Sequence, residues 1–392
     1  AYDGTVNEPL SRVSTLKYGP YDVPVASYEY LGAGHLVKTV LEEPAVSTAA
    51  YDAGGTPRDY AYLDRFGRVL RSRWEGGTDL CDTTLTYDRN SNIATSVDGV
   101  FVSAASKRLH DALYTIDSLN RLTNTLEGHL SGGAISGSDD TREEKWTGLT
   151  QTGNWERYKL DLNADGDFTD TGERDDTGTF NKVNEWLTRD LDSNATVDRY
   201  LSHDANGNLT TLSNGTSGTP LGVTYVYDAF GRLVQVKEGF DPLVNYRYNG
   251  LGHRILWQYD VDADSSLEAE ERLYLCYDER WRTVATYWDD DTDPKEQFVH
   301  HAAGQRGFAG SSYIDSVILR DRDDTSGWAS SSDGVLEERV YYIQNWRADV
   351  VALIASGAEL LEYVRYSSYG VATSYPKGDY DLDGDVDSSD TT

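Results

Sequence analysis

The sequence predicts an all-β chain of stacked hairpins, and three observations carry that prediction. Tyr (28), Trp (9) and Gly (36) are abundant; aromatic residues favour pleated, half-buried positions and Gly supplies turns. Long stretches with apolar residues at helical spacing are scarce. A short motif recurs along the chain: a tyrosine, an acidic turn, Gly or Asn, Arg or Asn, then an aliphatic residue. Segments such as Val223–Tyr227 and Leu233–Lys237 read as short strands bounded by turn signals.

The copies run in order through Asp64-Arg65-Phe66-Gly67-Arg68-Val69, Asp88-Arg89-Asn90-Ser91-Asn92-Ile93 and Asp117-Ser118-Leu119-Asn120-Arg121-Leu122. Next come Asp204-Ala205-Asn206-Gly207-Asn208-Leu209, Asp228-Ala229-Phe230-Gly231-Arg232-Leu233 and Asn249-Gly250-Leu251-Gly252-His253-Arg254-Ile255, with a degenerate copy at Tyr277-Asp278. The intervals are 88 − 64 = 24, 117 − 88 = 29, 228 − 204 = 24 and 249 − 228 = 21 residues. A propeller blade needs about 40–45 residues, so each unit suits one hairpin. Asp bonds its own backbone two residues on, and Gly or Asn takes the left-handed conformation that closes a bulged hairpin. Arg over Tyr offers a cation–π contact. One hairpin cannot bury its face alone, so neighbours must stack.

Composition narrows the function. With 35 basic and 66 acidic residues the net charge is −31, which opposes nucleic-acid binding and docking on anionic membranes. No apolar run approaches the roughly 18 residues of a membrane-spanning helix, so no membrane insertion is expected. At 392 residues the chain exceeds the usual ceiling of about 250–300 for one compact core; two domains or a repeat array is expected. Met is absent, so residue 1 reads as an internal position of a longer protein. Cys81 and Cys276 are expected as two buried or half-buried thiols rather than a framework or metal site.

These residues resemble the YD-repeat, or RHS-repeat, family. The resemblance covers most of the chain, including Tyr28-Glu29-Tyr30-Leu31-Gly32, Thr152-Gly153-Asn154-Trp155, Asn181-Lys182-Val183-Asn184-Glu185, Tyr313-Ile314-Asp315, Arg320-Asp321-Arg322-Asp323, Tyr341-Tyr342 leading to Trp346 and Val350–Leu353, and the Tyr366-Ser367-Ser368-Tyr369-Gly370 turn. It implies a β-hairpin spiral, a shell wound around a cavity. Such shells enclose a toxin or serve as large secreted or surface proteins in bacteria, and form adhesion scaffolds in teneurins. Toxin-releasing members carry an aspartyl self-cleavage site near the shell's end. Here Ser367 and Ser368 replace its Asp-Pro pair and the later core segment is missing, so self-cleavage is not expected, and a partial or incomplete β-shell is.

Calcium takes about six to eight oxygens, and alternating acids around a tight turn supply them. Asp379, Asp381, Asp383, Asp385, Asp387 and Asp390 fit best, with Gly384 at the sixth position; they resemble one EF-hand or dockerin-like loop, truncated two residues later. Asp260, Asp262, Asp264, Glu268 and Glu271 follow, with Ser265 where Gly is expected. Asp161, Asn163, Asp165 and Asp167 open a third loop, whose Glu173 falls one residue late. Asp289-Asp290-Asp291-Thr292-Asp293 lacks a closing ligand. The alternative for each is a solvated hairpin tip. His300-His301 should point to opposite faces, and Trp155, Trp186 and Trp346 should pack between strands. There is no H-E-x-x-H, G-x-S-x-G or Walker loop, so no enzymatic activity is expected.

The sequence is thus read as residues 1–376, the YD-repeat spiral, followed by 377–392, the start of a dockerin-like segment. The expected role is a non-enzymatic extracellular or cell-surface scaffold or adhesion segment, calcium-stabilised, with a surface protein or glycan as partner. Two rival expectations are a shell segment of a toxin-delivery protein whose cargo domain lies outside the chain, and a carbohydrate-binding adhesin.

Overall fold

A computed structural model describes the chain except for residues 1–11, 20–21, 32–34, 52–59, 77, 101–109, 215–221, 263, 265, 269–270, 302–305, 308–315 and 377–392. The described residues form a single sheet of 28 strands and no helix. It is a meander: from Thr15–Tyr18 to Ala372–Pro376 nearly every strand pairs antiparallel with the next. The exception is the two-residue strand Arg306–Gly307, which Glu296–His300 bypasses to reach Val317–Arg322. Arg306–Gly307 instead pairs parallel with His35–Leu41.

That parallel pairing marks where the sheet meets its own beginning. Tyr28 hydroxyl and His301 Nδ1 lie 3.0 Å apart, 273 residues apart in sequence. Trp74 Nε1 donates to the Gln344 carbonyl, 2.7 Å and 270 residues away. Arg365 reaches Asp98 at 2.6 Å, a separation of 267 residues. The strip therefore winds through about 270 residues and then overlaps itself. The main core lies in the overlap: Val25, Tyr28, Leu36, Leu41, Trp74 and Leu80 pack with Leu319, Tyr341, Ile343, Ala352 and Ile354. Between roughly 199 and 282 the wall is one layer thick, and most of its side chains are only half-buried. A core assembled from two distant stretches resolves the size problem, since neither stretch buries its face alone.

The repeat supplies the edge of the strip. Among the described residues, eleven turns on this edge share one hydrogen-bond pattern, opening at Asp64, Asp88, Asp117, Thr150, Asn181, Asp204, Asp228, Asn249, Asp278, Asn345 and Ser367, and the Ala355 turn repeats it on the opposite edge. In the Asp228 turn, Oδ1 accepts the Phe230 and Arg232 amides at 2.9 and 3.0 Å, and Oδ2 accepts Arg232 Nε at 2.7 Å. The Arg232 side-chain bond, opposed by desolvation and aided by the two amides, holds the Asp228 carboxyl below the usual carboxylate range. The fourth residue of each turn has positive φ: Gly231 at 73° shows why glycine suits the position, whereas Trp281 adopts 67°. The register shift beside most of these turns, as at Val226/Tyr227, is the expected bulge, while the Thr150 and Ser367 turns join strands in unbroken register.

The cation–π contact runs between units. Arg68 lies 4.5 Å from the Tyr87 ring centre and Arg232 4.9 Å from that of Tyr248. The same tyrosines donate back, Tyr87 to the Val69 carbonyl and Tyr248 to the Leu233 carbonyl, each at 2.7 Å. Tyr277 repeats the bond to Arg254. Tyrosine and arginine therefore recur together because each unit's tyrosine clamps the unit before it.

One cysteine departs from expectation. Cys81 is buried, but Cys276 is exposed, and both are free thiols. Cys276 lies in the single-layer wall, where nothing described covers that face.

Candidate metal centre

Every second connection of the meander carries a repeat turn, and the remaining connections fall on the opposite edge of the strip. There the acidic loops gather, because each follows the far end of a strand. Residues 260–271 join Arg254–Tyr259 to Arg272–Tyr277. Asp260, Asp262 and Glu271 each present an oxygen within 4.8 Å of the others, and so do Asp262, Asp264 and Glu268. Glu271 is buried; its Oε1 accepts the Val261 amide at 2.8 Å and its Oε2 the Glu268 amide at 3.0 Å. Asp260 Oδ1 accepts the Asp264 amide at 3.1 Å. Ser266, through its hydroxyl and its amide, keeps the Asp264 carboxyl ionised below its ordinary range. Five carboxylates crowded in one turn repel unless a cation sits among them, and an all-oxygen donor set fits a hard divalent ion.

Asp161, Asn163, Asp165 and Asp167 fold into a related loop with a different interior. Glu173 closes it as Glu271 closes the other, accepting the Leu162 and Asp170 amides at 3.0 and 3.1 Å. Asp161 Oδ2 accepts the Gly166 amide at 2.9 Å. The Asn163 amide group donates to Asp165 and Asp170, and no three carboxylates of this loop come together. Asp291 of the 289–293 run accepts the Ser332 amide at 2.6 Å. The loop at Asp379, Asp381, Asp383, Asp385, Asp387 and Asp390 lies outside the described residues.

Two clusters escaped the sequence analysis. Asp190, Asp192 and Asp198 converge in a shortened loop where Asp198 accepts the Leu191 amide at 2.7 Å and Ala195 takes the left-handed position at φ 68°. The alternation Asp190, Asp192, Asn194 was its signal, hidden by the missing glycine and short length. Asp323, Asp333 and Glu337 form the other. Here the cation is a side chain: the buried Lys295 Nζ meets Asp323 Oδ2 at 3.3 Å, the Ser326 carbonyl at 3.3 Å and the Gly327 carbonyl at 2.9 Å. Burial would raise the Asp323 carboxyl, but Ser326 and then Lys295 hold it far below the usual range. No local pattern marks a lysine 28 residues upstream as that partner.

The histidines turn to different partners: His300 Nε2 to the Thr283 carbonyl at 2.7 Å, His301 to Tyr28. Trp155 packs on Trp186 with centroids 5.2 Å apart, and Trp346 packs on the small core of Val37, Ala50 and Val69.

Comparison with known proteins places this architecture. Residues 203–240, which span the Asp204 and Asp228 turns, match the RHS Repeat family. The whole fold is similar to a chain of the Photorhabdus luminescens Tc holotoxin pore, at 17% identity and a TM-score of 0.58, over 88% of this chain and 15% of that one. A chain of the TcdB2-TccC3-Cdc42 crystal structure is similar at 16% identity and a TM-score of 0.50, over 89% and 16%. No curated protein matches the sequence. The fold is therefore an all-β wound sheet similar to part of the Tc holotoxin chain. The RHS Repeat match is confined to residues 203–240, and the chain spans about 15% of the length of the solved chains it resembles.

Proposed function

We propose that the chain is a non-enzymatic wall segment of a toxin-delivery shell, and that the polypeptide it surrounds lies outside residues 1–392. The observation that carries this reading is the winding: the strip meets itself after about 270 residues, as a wall closing around a space would. The single-layer wall supports it with two unlike faces. Leu201, Leu212, Val223, Tyr225, Val244 and Tyr259 share one face by register. The other carries a side-chain ladder of Gln235, Asn245 and Gln258. A half-exposed apolar face suits an unfolded polypeptide. The solved structures it resembles are, by their names, a Tc holotoxin pore and a TcdB2-TccC3-Cdc42 complex, and an extracellular location accords with a toxin-delivery use. The test is limited proteolysis of the natural full-length protein. Fragments from beyond residue 392 that stay protected while the wall is intact support the reading, and their immediate digestion would sink it.

The 260–271 loop favours a second element, a wall stiffened by calcium. Thermal melting with about 1 mM calcium and then chelator tests it. A site of about 10 μM affinity adds roughly 2.7 kcal/mol, removed by Asp262→Ala. An unchanged melt would make the loop a solvated tip.

A further inference from the structure

At the acidic edge the apolar face that includes Tyr259 ends in an aromatic cluster that calcium does not use. Trp257 and Tyr259 lie on one face of the strand Arg254–Tyr259, with ring centroids 4.9 Å apart. Tyr259 meets the buried Trp288 edge-on at 6.1 Å. From a third element, Trp328 Nε1 donates to the Tyr259 hydroxyl at 2.7 Å. Trp257 and Trp328 remain 36% and 38% exposed. Three acidic loops flank the aromatics, and two of them are joined: the Ser332 amide donates to Asp291.

Residues 260–271, 289–294 and 323–337 contain 14 acidic residues and no lysine or arginine. The nearest lysine, Lys295, is buried and engaged by Asp323. Arg322 is committed to Asp324 and Glu338. Exposed indole and phenol faces within a strongly negative rim attract cations twice over, through the ring quadrupole and through the carboxylates.

We propose that Trp257, Tyr259 and Trp328 form a docking patch for a cationic polypeptide segment, one bearing arginine or lysine side chains. Charge complementarity selects this occupant over a neutral sugar, which would gain from the rings but nothing from the rim. The inference rests on local charge and ring geometry.

The experiment is a tryptophan-fluorescence titration of the whole chain with a nine-arginine peptide at about 150 mM salt, with chelator and again with calcium. A saturable emission change is expected. Trp257→Ala and Trp328→Ala should each weaken binding about fivefold, the scale of one cation–π contact, and Trp328→Phe should restore part of the loss. Phe230→Ala, at an exposed repeat turn far along the strip, should bind as the parent does. Calcium that occupies the 260–271 loop should weaken the peptide without abolishing it, because the other two loops keep their charge. If both tryptophan variants, melting as the parent does, bind equally well, only diffuse charge is at work and the patch is refuted. A neutral oligosaccharide that changes the same emission where the peptide does not would also overturn the proposal.

Discussion

Replacing Lys295 with Met isolates the loop whose cation is built in. Lys295 and Asp323 are both buried, and Lys295 Nζ serves Asp323 Oδ2 and the carbonyls of Ser326 and Gly327. The methionine fills similar volume but leaves a buried carboxylate without its counter-charge and two carbonyls without a donor. Removing one partner of a buried pair costs about 3–5 kcal/mol. Asp323→Asn should cost less, because its side-chain oxygen can still accept the Thr325 and Ser326 amides. The double variant Lys295→Met/Asp323→Asn should be more stable than Lys295→Met alone, since the charge left stranded by the first change is gone. Denaturation of all four proteins gives the coupling energy. A Lys295→Met loss below about 1 kcal/mol, or purely additive effects, would refute the argument that this lysine is the loop's cation.

Further outcomes follow from the seam and the repeat. Burial, with a smaller push from His300, lowers His301 to about 3. Its neutral form is favoured in the fold, so the stability it contributes is present above the unfolded value near 6.5 and is lost as pH falls toward 3. Lowering the pH from 7 to 5 should cost about 2 kcal/mol through this group, and His301→Gln should flatten that part of the profile. An unchanged profile would contradict the buried neutral state. Tyr248→Phe removes the bond to the Leu233 carbonyl and should cost about 1 kcal/mol in melting experiments. Trp281→Gly relieves a bulky residue held at φ 67° and should stabilise by about 1 kcal/mol, less the loss of its stack on His253; a clear destabilisation would show that the stack outweighs the strain.

The turn edge was legible in the sequence because its chemistry is local. Asp228, Gly231 and Arg232 bond one another within five residues, so one unit already shows the turn, and the string of units shows the meander. The pairing of Arg232 with Tyr248 needed only the next unit. The winding was legible only through the family resemblance: the contacts of Tyr28 with His301 and Trp74 with Gln344 join stretches with no shared pattern, and apolar alternation is the same in a one-layer and a two-layer wall. The acidic loops divided for a similar reason. Spacing identified Asp260, Asp262, Asp264, Glu268 and Glu271, whose geometry is set within the loop. It did not foresee the Asn163 amide among the carboxylates of the Asp161 loop, nor Lys295 in the Asp323 loop. Exposure of Cys276 likewise depends on whether a second layer covers its strand.

One crosslink tests whether the strip overlaps itself. Thr125 and Ser368 place their hydroxyl oxygens 2.6 Å apart across 243 residues of sequence. In a chain with Cys276→Ser, the pair Thr125→Cys/Ser368→Cys should form an intramolecular disulfide under mild oxidation, seen as a monomer of altered mobility and as a linked peptide by mass spectrometry. Such a bond requires the two stretches to lie against each other. Thiols that stay free, or link only between molecules, would contradict the spiral and with it the enclosed space on which the proposed function depends.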